Sequence, residues 1–251
     1  MRLLVVDTAT EACVAAVCEV SGDGAGPSDG AGEPRVLAAR APVDARRHGE
    51  LLAPLIAEVL DESATARDAL GGVVVGLGPG PFTSLRVGVV TAAAFADALG
   101  LRAVGVCTLD GIGCTPEATA TAGSGSGGSG APVGSVVVAT DARRREVYWA
   151  RYADGRRVEG PDVARPAVLA EALAAGEPVL GSGGVLAAEL TPHAAPGPRF
   201  PDPATLARVA LPALLAADEP GPLVPLYLRR PDATPSTATA REAAPARTGA
   251  T

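Results

Sequence analysis

The sequence predicts an α/β fold in which a β-β-β-α-β-α unit occurs twice. Three observations predict it. The same order of apolar runs and amphipathic stretches stands on both sides of a Gly/Ser-rich segment, Ser124 to Gly130. The first strand of each half ends in an aspartate, Asp7 and Asp141. A Gly/Pro turn, Gly78-Pro79-Gly80-Pro81, joins an apolar strand to a long helix of small residues. Self-similar halves decide the architecture before any single motif does.

In the first half, Leu3–Val6, Cys13–Val20 and Val36–Val43 read as strands, and Ser21 to Pro34 as a long Gly/Asp/Ser/Pro-rich hairpin loop. His48–Leu60 reads as a helix because Leu51, Leu52, Leu55, Ile56, Val59 and Leu60 recur at helical spacing. Pro54 lies inside that stripe and marks a start or a kink. A strand at Val73–Gly76 leads to a helix over Thr83–Leu99, with Thr83 or Ser84 as its cap. Gly88, Ala92 and Ala96 fall on one face of it, a stripe that lets another helix come close. Leu85 and Val89 point away from Val87 and Val90, so this helix is apolar on more than one side. Ala103–Val106 is the last strand.

The second half reads as strands at Ser135–Thr140 and Glu146–Tyr152, a short third strand near Arg157, a helix at Pro166–Ala175, a strand at Pro178–Leu180 and a helix at Pro203–Ala217. The expected organisation is a lobe over residues 1–114, a flexible loop over 115–132, a second lobe over 133–230, and a disordered tail over 231–251 without apolar periodicity. Duplication of this kind points to the actin-like ATPase superfamily of actin, Hsp70 and sugar kinases, an RNase H-like architecture with nucleotide between the lobes. Fold alone does not assign function.

Composition narrows the function classes. The 251 residues include no Lys, Asn or Gln, and all 21 basic residues are Arg, a bias that carries no functional signal. A net charge of -7 argues against a broad basic surface for nucleic acid, so any RNA is gripped by a partner. The four cysteines form no C-x-x-C pair, and Cys13 and Cys18 point to opposite faces of one strand. They read as reduced cytosolic thiols. His48 and His193 are isolated, so no metal site is expected. No signal peptide or membrane-spanning segment is expected, and the cytoplasm is the default compartment.

Several polar residues are candidates for contacts. The 78–86 turn gathers backbone N–H groups at a helix N-terminus, which suits an anion. Asp7 and Thr8 occupy the place of a first phosphate loop, although its glycine is missing; Glu11 lies just beyond. Arg86 opposes the helix dipole in the first turn and suits a partner carboxylate or a phosphate. Arg143-Arg144-Arg145 reads as a solvated hairpin tip, with a nucleotide or nucleic-acid contact as the sharper alternative. Trp149 reads as core.

An ordered set of segments carries a family resemblance. They are Asp7-Thr8-Ala9-Thr10-Glu11-Ala12-Cys13, His48 before an apolar helix, Gly78-Pro79-Gly80-Pro81-Phe82-Thr83-Ser84-Leu85-Arg86, Gly105-Val106-Cys107-Thr108-Leu109, Asp141-Ala142-Arg143, Glu146-Val147-Tyr148-Trp149-Ala150 and Pro225-Leu226-Tyr227-Leu228-Arg229. The chain resembles the TsaB (YeaZ) family; Ser84 stands where that family more often has Gly. The resemblance implies a non-catalytic subunit for threonylcarbamoyl transfer to the N6 of an adenosine in transfer RNA. It implies docking onto the catalytic sister TsaD, with the ATPase TsaE joining and TsaC supplying the intermediate. The implied interface is His48, Leu51, Leu52, Leu55, Ile56, Val59, Leu85, Gly88, Val89, Ala92 and Ala96, which also serves a homodimer. Transfer RNA is then met only through the complex, and ATP or ADP lies at most at the interface with TsaD. TsaD carries two metal-binding His where this chain has Thr108 and Ile112. An active ATPase or phosphotransferase of the actin-like superfamily is the alternative.

Overall fold

The structure is a computed structural model that describes residues 1–21, 32–123 and 134–229. Most of the expected hairpin loop, the Ser124–Gly130 segment and the tail over 231–251 lie outside the described residues. In chain order the elements are β1 (Arg2–Asp7), β2 (Val14–Glu19), β3 (Arg35–Arg40), α1 (His48–Glu62), β4 (Leu70–Gly76), α2 (Phe82–Leu99), β5 (Ala103–Val106), α3 (Asp110–Gly113) and α4 (Pro116–Gly123). Then follow β6 (Ser135–Asp141), β7 (Val147–Ala153), β8 (Arg156–Ala164), α5 (Pro166–Ala172), β9 (Val179–Leu180), α6 (Ser182–Leu186) and α7 (Pro203–Leu215).

The first sheet has the order β3-β2-β1-β4-β5. β1 runs antiparallel to β2, with Leu4 opposite Val17, and parallel to β4, with Val5 beside Val74. A central parallel strand must be apolar on both faces, and Leu3 to Val6 are fully buried. Alternation sends Leu4, Val6, Val73 and Val75 to one face and Leu3, Val5 and Val74 to the other. Cys13 and Cys18 fall on opposite faces as the spacing predicts, and all four cysteines are buried and free.

Helices α1 and α2 lie side by side on the first face. Their apolar stripes face inward: Leu52, Leu55, Ile56, Val59, Leu85, Val89, Ala92 and Ala96 are all buried in the chain's own core. Pro54 is accommodated inside α1. α2 begins at Phe82, with Pro81 as its N-cap and no side-chain cap, so neither Thr83 nor Ser84 caps it. Ser84 instead donates to the Pro81 carbonyl at 3.2 Å. At the far end Gly100, at φ +63°, supplies the left-handed cap. The expectation that no segment could span a bilayer is corrected in one respect: α2 is long and apolar enough by length and composition. In the fold it lies along α1 and β4.

The other face of this sheet is covered from the opposite end of the chain. Leu206, Ala207, Ala210, Leu211 and Leu214 of α7 pack on Leu3, Val5, Val74 and Val104. This corrects the expected boundary, since α7 packs chiefly on the first sheet, with Val209 also reaching the second core. Asp202 caps α7, its carboxylate accepting from Thr205 N at 2.7 Å, with Pro203 in the first turn. Arg102, just before β5, donates to the Leu214 carbonyl at 3.1 Å and also reaches the Ala216 carbonyl.

The second sheet has the order β8-β7-β6-β9. The segment expected as a flexible loop starts with α4, whose Ala118 and Ala122 pack against Val136, Val138 and Tyr152. Thr115 caps it, accepting from Ala118 N at 3.1 Å, ahead of Pro116. On the other face Leu169 and Leu190 cover Val137 and Ala139. Glu177 ties this lobe together. Its carboxylate accepts from Ser135 Oγ at 2.7 Å, Arg151 Nε at 2.8 Å and Ala174 N at 3.1 Å.

Leu206→Ala tests the exchange of α7 between lobes. The substitution leaves a cavity against the first sheet and is expected to cost about 2–5 kcal/mol. Urea unfolding measures the loss. Amide hydrogen exchange should rise in β1 and β4 before β6 and β7.

Candidate functional site

The residues singled out from sequence meet where β1, β4 and β5 end and α2 begins. Asp7 is fully buried there, and both its oxygens are used. Oδ1 accepts from Ala9 N at 2.9 Å, and Oδ2 accepts from Thr108 Oγ1 at 2.6 Å. Thr108 Oγ1 in turn accepts from Gly78 N at 3.1 Å. Burial raises the Asp7 carboxyl to about 6 against these hydrogen bonds. Asp7 therefore closes a turn and faces no ligand space.

Thr8 does something the sequence did not reveal. Its hydroxyl donates to the Ser84 carbonyl at 2.6 Å and accepts from Gly88 N at 3.0 Å. Those two groups are a helical i, i+4 pair, so the Thr8 hydroxyl bridges the ladder of α2 from the side. Gly88 makes this possible: a Cβ there would lie 2.5 Å from Thr8 Oγ1. Gly80 is equally constrained, since a Cβ would lie 2.4 Å from the Ala9 carbonyl oxygen. The Gly88/Ala92/Ala96 stripe thus faces the chain's own sheet, which corrects its reading as a helix-docking stripe.

Across the gap between the lobes, Ala9, Thr10, Glu11 and Ser84 face Asp141 and Arg143. The space they enclose is about 10 Å³, on the scale of one water, whereas ligand pockets run to hundreds of Å³. Asp7 and Thr8 are occupied by internal bonds. Arg143, Arg144 and Arg145 form the exposed hairpin tip, all with positive φ. Asp141 steadies it, Oδ1 accepting from Arg143 N at 2.8 Å. A larger cavity of about 310 Å³ belongs to the second lobe alone, between Arg145 and Val147 of the hairpin and the stretch from Leu186, at the end of α6, to Glu189.

Thr108 is bonded to Asp7, and Ile112 is buried in the second core. Among the described residues, no group of three or more His, Cys, Asp and Glu side chains could hold a metal ion.

The outer surface of α1 and α2 carries different residues from those read as the interface. His48 is buried and its Nε2 has no partner; Leu51 is half-buried. Gly49, Ala53 and Ala57 of α1 are exposed, as are Arg86, Val90 and Ala94 of α2, Val90 at 64 %. Arg86 stacks on the exposed Phe82 ring, 4.6 Å from its centroid.

Comparison with known proteins agrees with this architecture. The family model described as TsaD, tRNA N6-adenosine threonylcarbamoyltransferase, matches residues 41–203. The tRNA threonylcarbamoyladenosine biosynthesis protein TsaB of Escherichia coli is 32 % identical over 61 % of this chain and 55 % of its own length. The chain belongs to the TsaB (YeaZ) family. An uncharacterized protein of Mycobacterium tuberculosis is 46 % identical, covering 80 % of this chain and 83 % of its own. A crystal structure from Pseudomonas aeruginosa, described as an uncharacterized protein with similarity to peptidase YEAZ, superposes with a TM-score of 0.66 at 27 % identity, over 91 % of this chain and 99 % of that one. The TsaB-type segments thus sit where strand ends, glycines and α2 touch.

Two outcomes follow from the junction. Thr8→Val removes the bridging hydroxyl and should cost about 1–3 kcal/mol, whereas Thr8→Ser keeps both bonds and should stay close to the parent in urea unfolding. Asp7 has a folded pKa raised to about 6 from 3.8. Its favourable contribution is full below pH 4 and is lost as pH rises through 6. The stability of the parent minus that of Asp7→Asn should therefore fall by roughly 3 kcal/mol between pH 4 and pH 7.

Proposed function

We propose that this chain is an accessory, non-catalytic subunit in the synthesis of threonylcarbamoyladenosine in transfer RNA. It acts by docking onto a TsaD-type catalytic subunit through the outer face of α1 and α2. The observation that carries the reading is the closed strand-end junction. The carboxylate and hydroxyl that stand where an actin-like enzyme would work, Asp7 and Thr108, hold each other and the 78–80 turn. That leaves binding as the contribution of this lobe. Family membership supplies the pathway.

The docking surface follows from exposure. Inward residues such as Leu55, Val89 and Ala92 shape the helices, and Gly49, Ala53, Ala57, Val90 and Ala94 present a low surface that lets a partner helix approach. Arg86 and Phe82 at the edge suit a partner carboxylate or a phosphate of ATP or ADP held at the shared interface. The same face supports a homodimer when the chain is alone, with the partner competing for it, and TsaE joins the heterodimer. Transfer RNA is met only through the complex, in the cytoplasm. The ATPase or phosphotransferase alternative requires nucleotide in a gap of about 10 Å³, and no observation favours it.

Reconstitution with TsaC, TsaD and TsaE tests the reading. Product should form efficiently only with this chain present, and the chain alone should turn over no ATP. Val90→Asp places a charge at the centre of the outer face and should abolish co-elution with TsaD while leaving the urea midpoint unchanged. Light scattering over a dilution series should show a dimer that dissociates to monomer. Intact co-elution of Val90→Asp would refute the assigned face, and efficient product without the chain would refute the accessory role.

A further inference from the structure

We propose that residues 222–229 form a latch that holds the two lobes shut across the gap between them. After α7 this segment has no regular secondary structure, yet its residues are anchored in both lobes. On the first lobe, Leu223 packs against the core beneath α1 and α2. Leu226 N donates to the Leu77 carbonyl at 2.7 Å, just after β4. The Tyr227 ring lies 5.2 Å from that of Phe82, the first residue of α2. On the second lobe, the Leu226 side chain packs against the core of Val136, Val138 and Tyr152. Arg229 Nη1 donates to the Ala142 carbonyl at 2.8 Å, and its guanidinium pairs with Glu146.

Three features make this a latch rather than a trailing end. The strap is stiff: Val224 N bonds the Pro222 carbonyl at 2.9 Å and Tyr227 N bonds the Pro225 carbonyl at 3.0 Å, with both prolines restricting φ. Its last anchor lands on the hairpin whose arginines adopt positive φ, a conformation that L residues avoid. Arg229 occupies the Ala142 and Arg143 carbonyls of that hairpin and so holds the shape in place. The hairpin side chain Arg143 closes the small gap opposite Glu11 and Ser84. At the mouth of the gap the direct bond is Tyr148 Oη to the Gly80 carbonyl at 3.4 Å. Deeper in the junction Tyr152 Oη donates to Asp110 at 2.8 Å and Arg157 pairs with Asp110, so the strap closes the open side of a junction that is hinged at α3. Rotation of one lobe away from the other must break either the Arg229 anchor or the Leu226 and Tyr227 anchors.

Hydrogen-exchange mass spectrometry on the full chain tests this with two variants that remove different anchors. Tyr227→Ala deletes a first-lobe contact. It should speed exchange about tenfold in residues 142–146, where the Arg229 anchor lands. Arg229→Ala deletes the second-lobe contacts. It should speed exchange comparably in residues 9–12 and 44–46 on the far side of the gap. Protection in β1, β4, β6 and β7 should remain. Effects confined to the residues each side chain touches would overturn the latch. Loss of protection throughout the sheets in both variants would also overturn it, because the strap would then be an integral part of the core.

Discussion

The arrangement depends on how close backbone can come to backbone where the first sheet ends. The carboxylate of Asp7 lies so near β4 that a Cβ on Gly76 would stand 1.7 Å from it. Gly80 and Gly88 are held to the same limit by Ala9 and Thr8. With that room kept empty, the Thr8 hydroxyl enters the side of α2 and Thr108 locks Asp7 to the Gly78 turn. The direction of α2 is set there, and with it the neighbouring α1 and the surface both helices show to solvent. A buried carboxylate is costly to ionise, and here that cost is accepted in exchange for a fixed turn.

The lobes are fused rather than merely linked. α7 fills the open face of the first sheet, and the strap after it returns to the second lobe. Lobe boundaries drawn at positions along the chain therefore fail, because the last helix belongs in space to the first half. The second lobe has its own binding hub in Glu177, whose three donors come from β6, β7 and the turn after α5. Removing one partner of such a buried pair leaves a charge stranded, so this lobe is as firmly specified as the first.

Much of this was legible in the sequence. β1, β4 and β6 were read within a few residues because they are apolar on both faces, a pattern with few alternatives, whereas β8 was read as a short strand near Arg157 and runs to Ala164 because its mostly exposed residues leave no apolar run. The inward stripe of α1 was equally clear, but periodicity marks a face as apolar without saying what covers it. Leu52, Leu55 and Val59 were read as a partner surface and are covered by the chain's own sheet. Gly88 misled in the same way, since a small residue permits close approach by any neighbour and here the neighbour is Thr8. The helix at Pro116–Gly123 was hidden by the Gly/Ser run after it, although Thr115 followed by Pro116 is a helix-start signal. The hydroxyl bridge into α2 and the Arg229 contacts join residues tens of positions apart, and nothing local in the chain announces them.

The position of α7 has a consequence for synthesis. A chain made from its N-terminus presents the whole first sheet once β5 has emerged, but one face of that sheet stays bare until residue 215 is added. At about 5–20 residues per second, Leu3, Val5, Val74 and Val104 wait on the order of 5–20 s for Leu206 and Leu211. During that interval the nascent protein is a half-covered sheet whose apolar side is open to any other surface. Folding of the first lobe is thereby tied to synthesis through residue 215, and a message cut short before α7 yields a sticky fragment instead of a smaller domain.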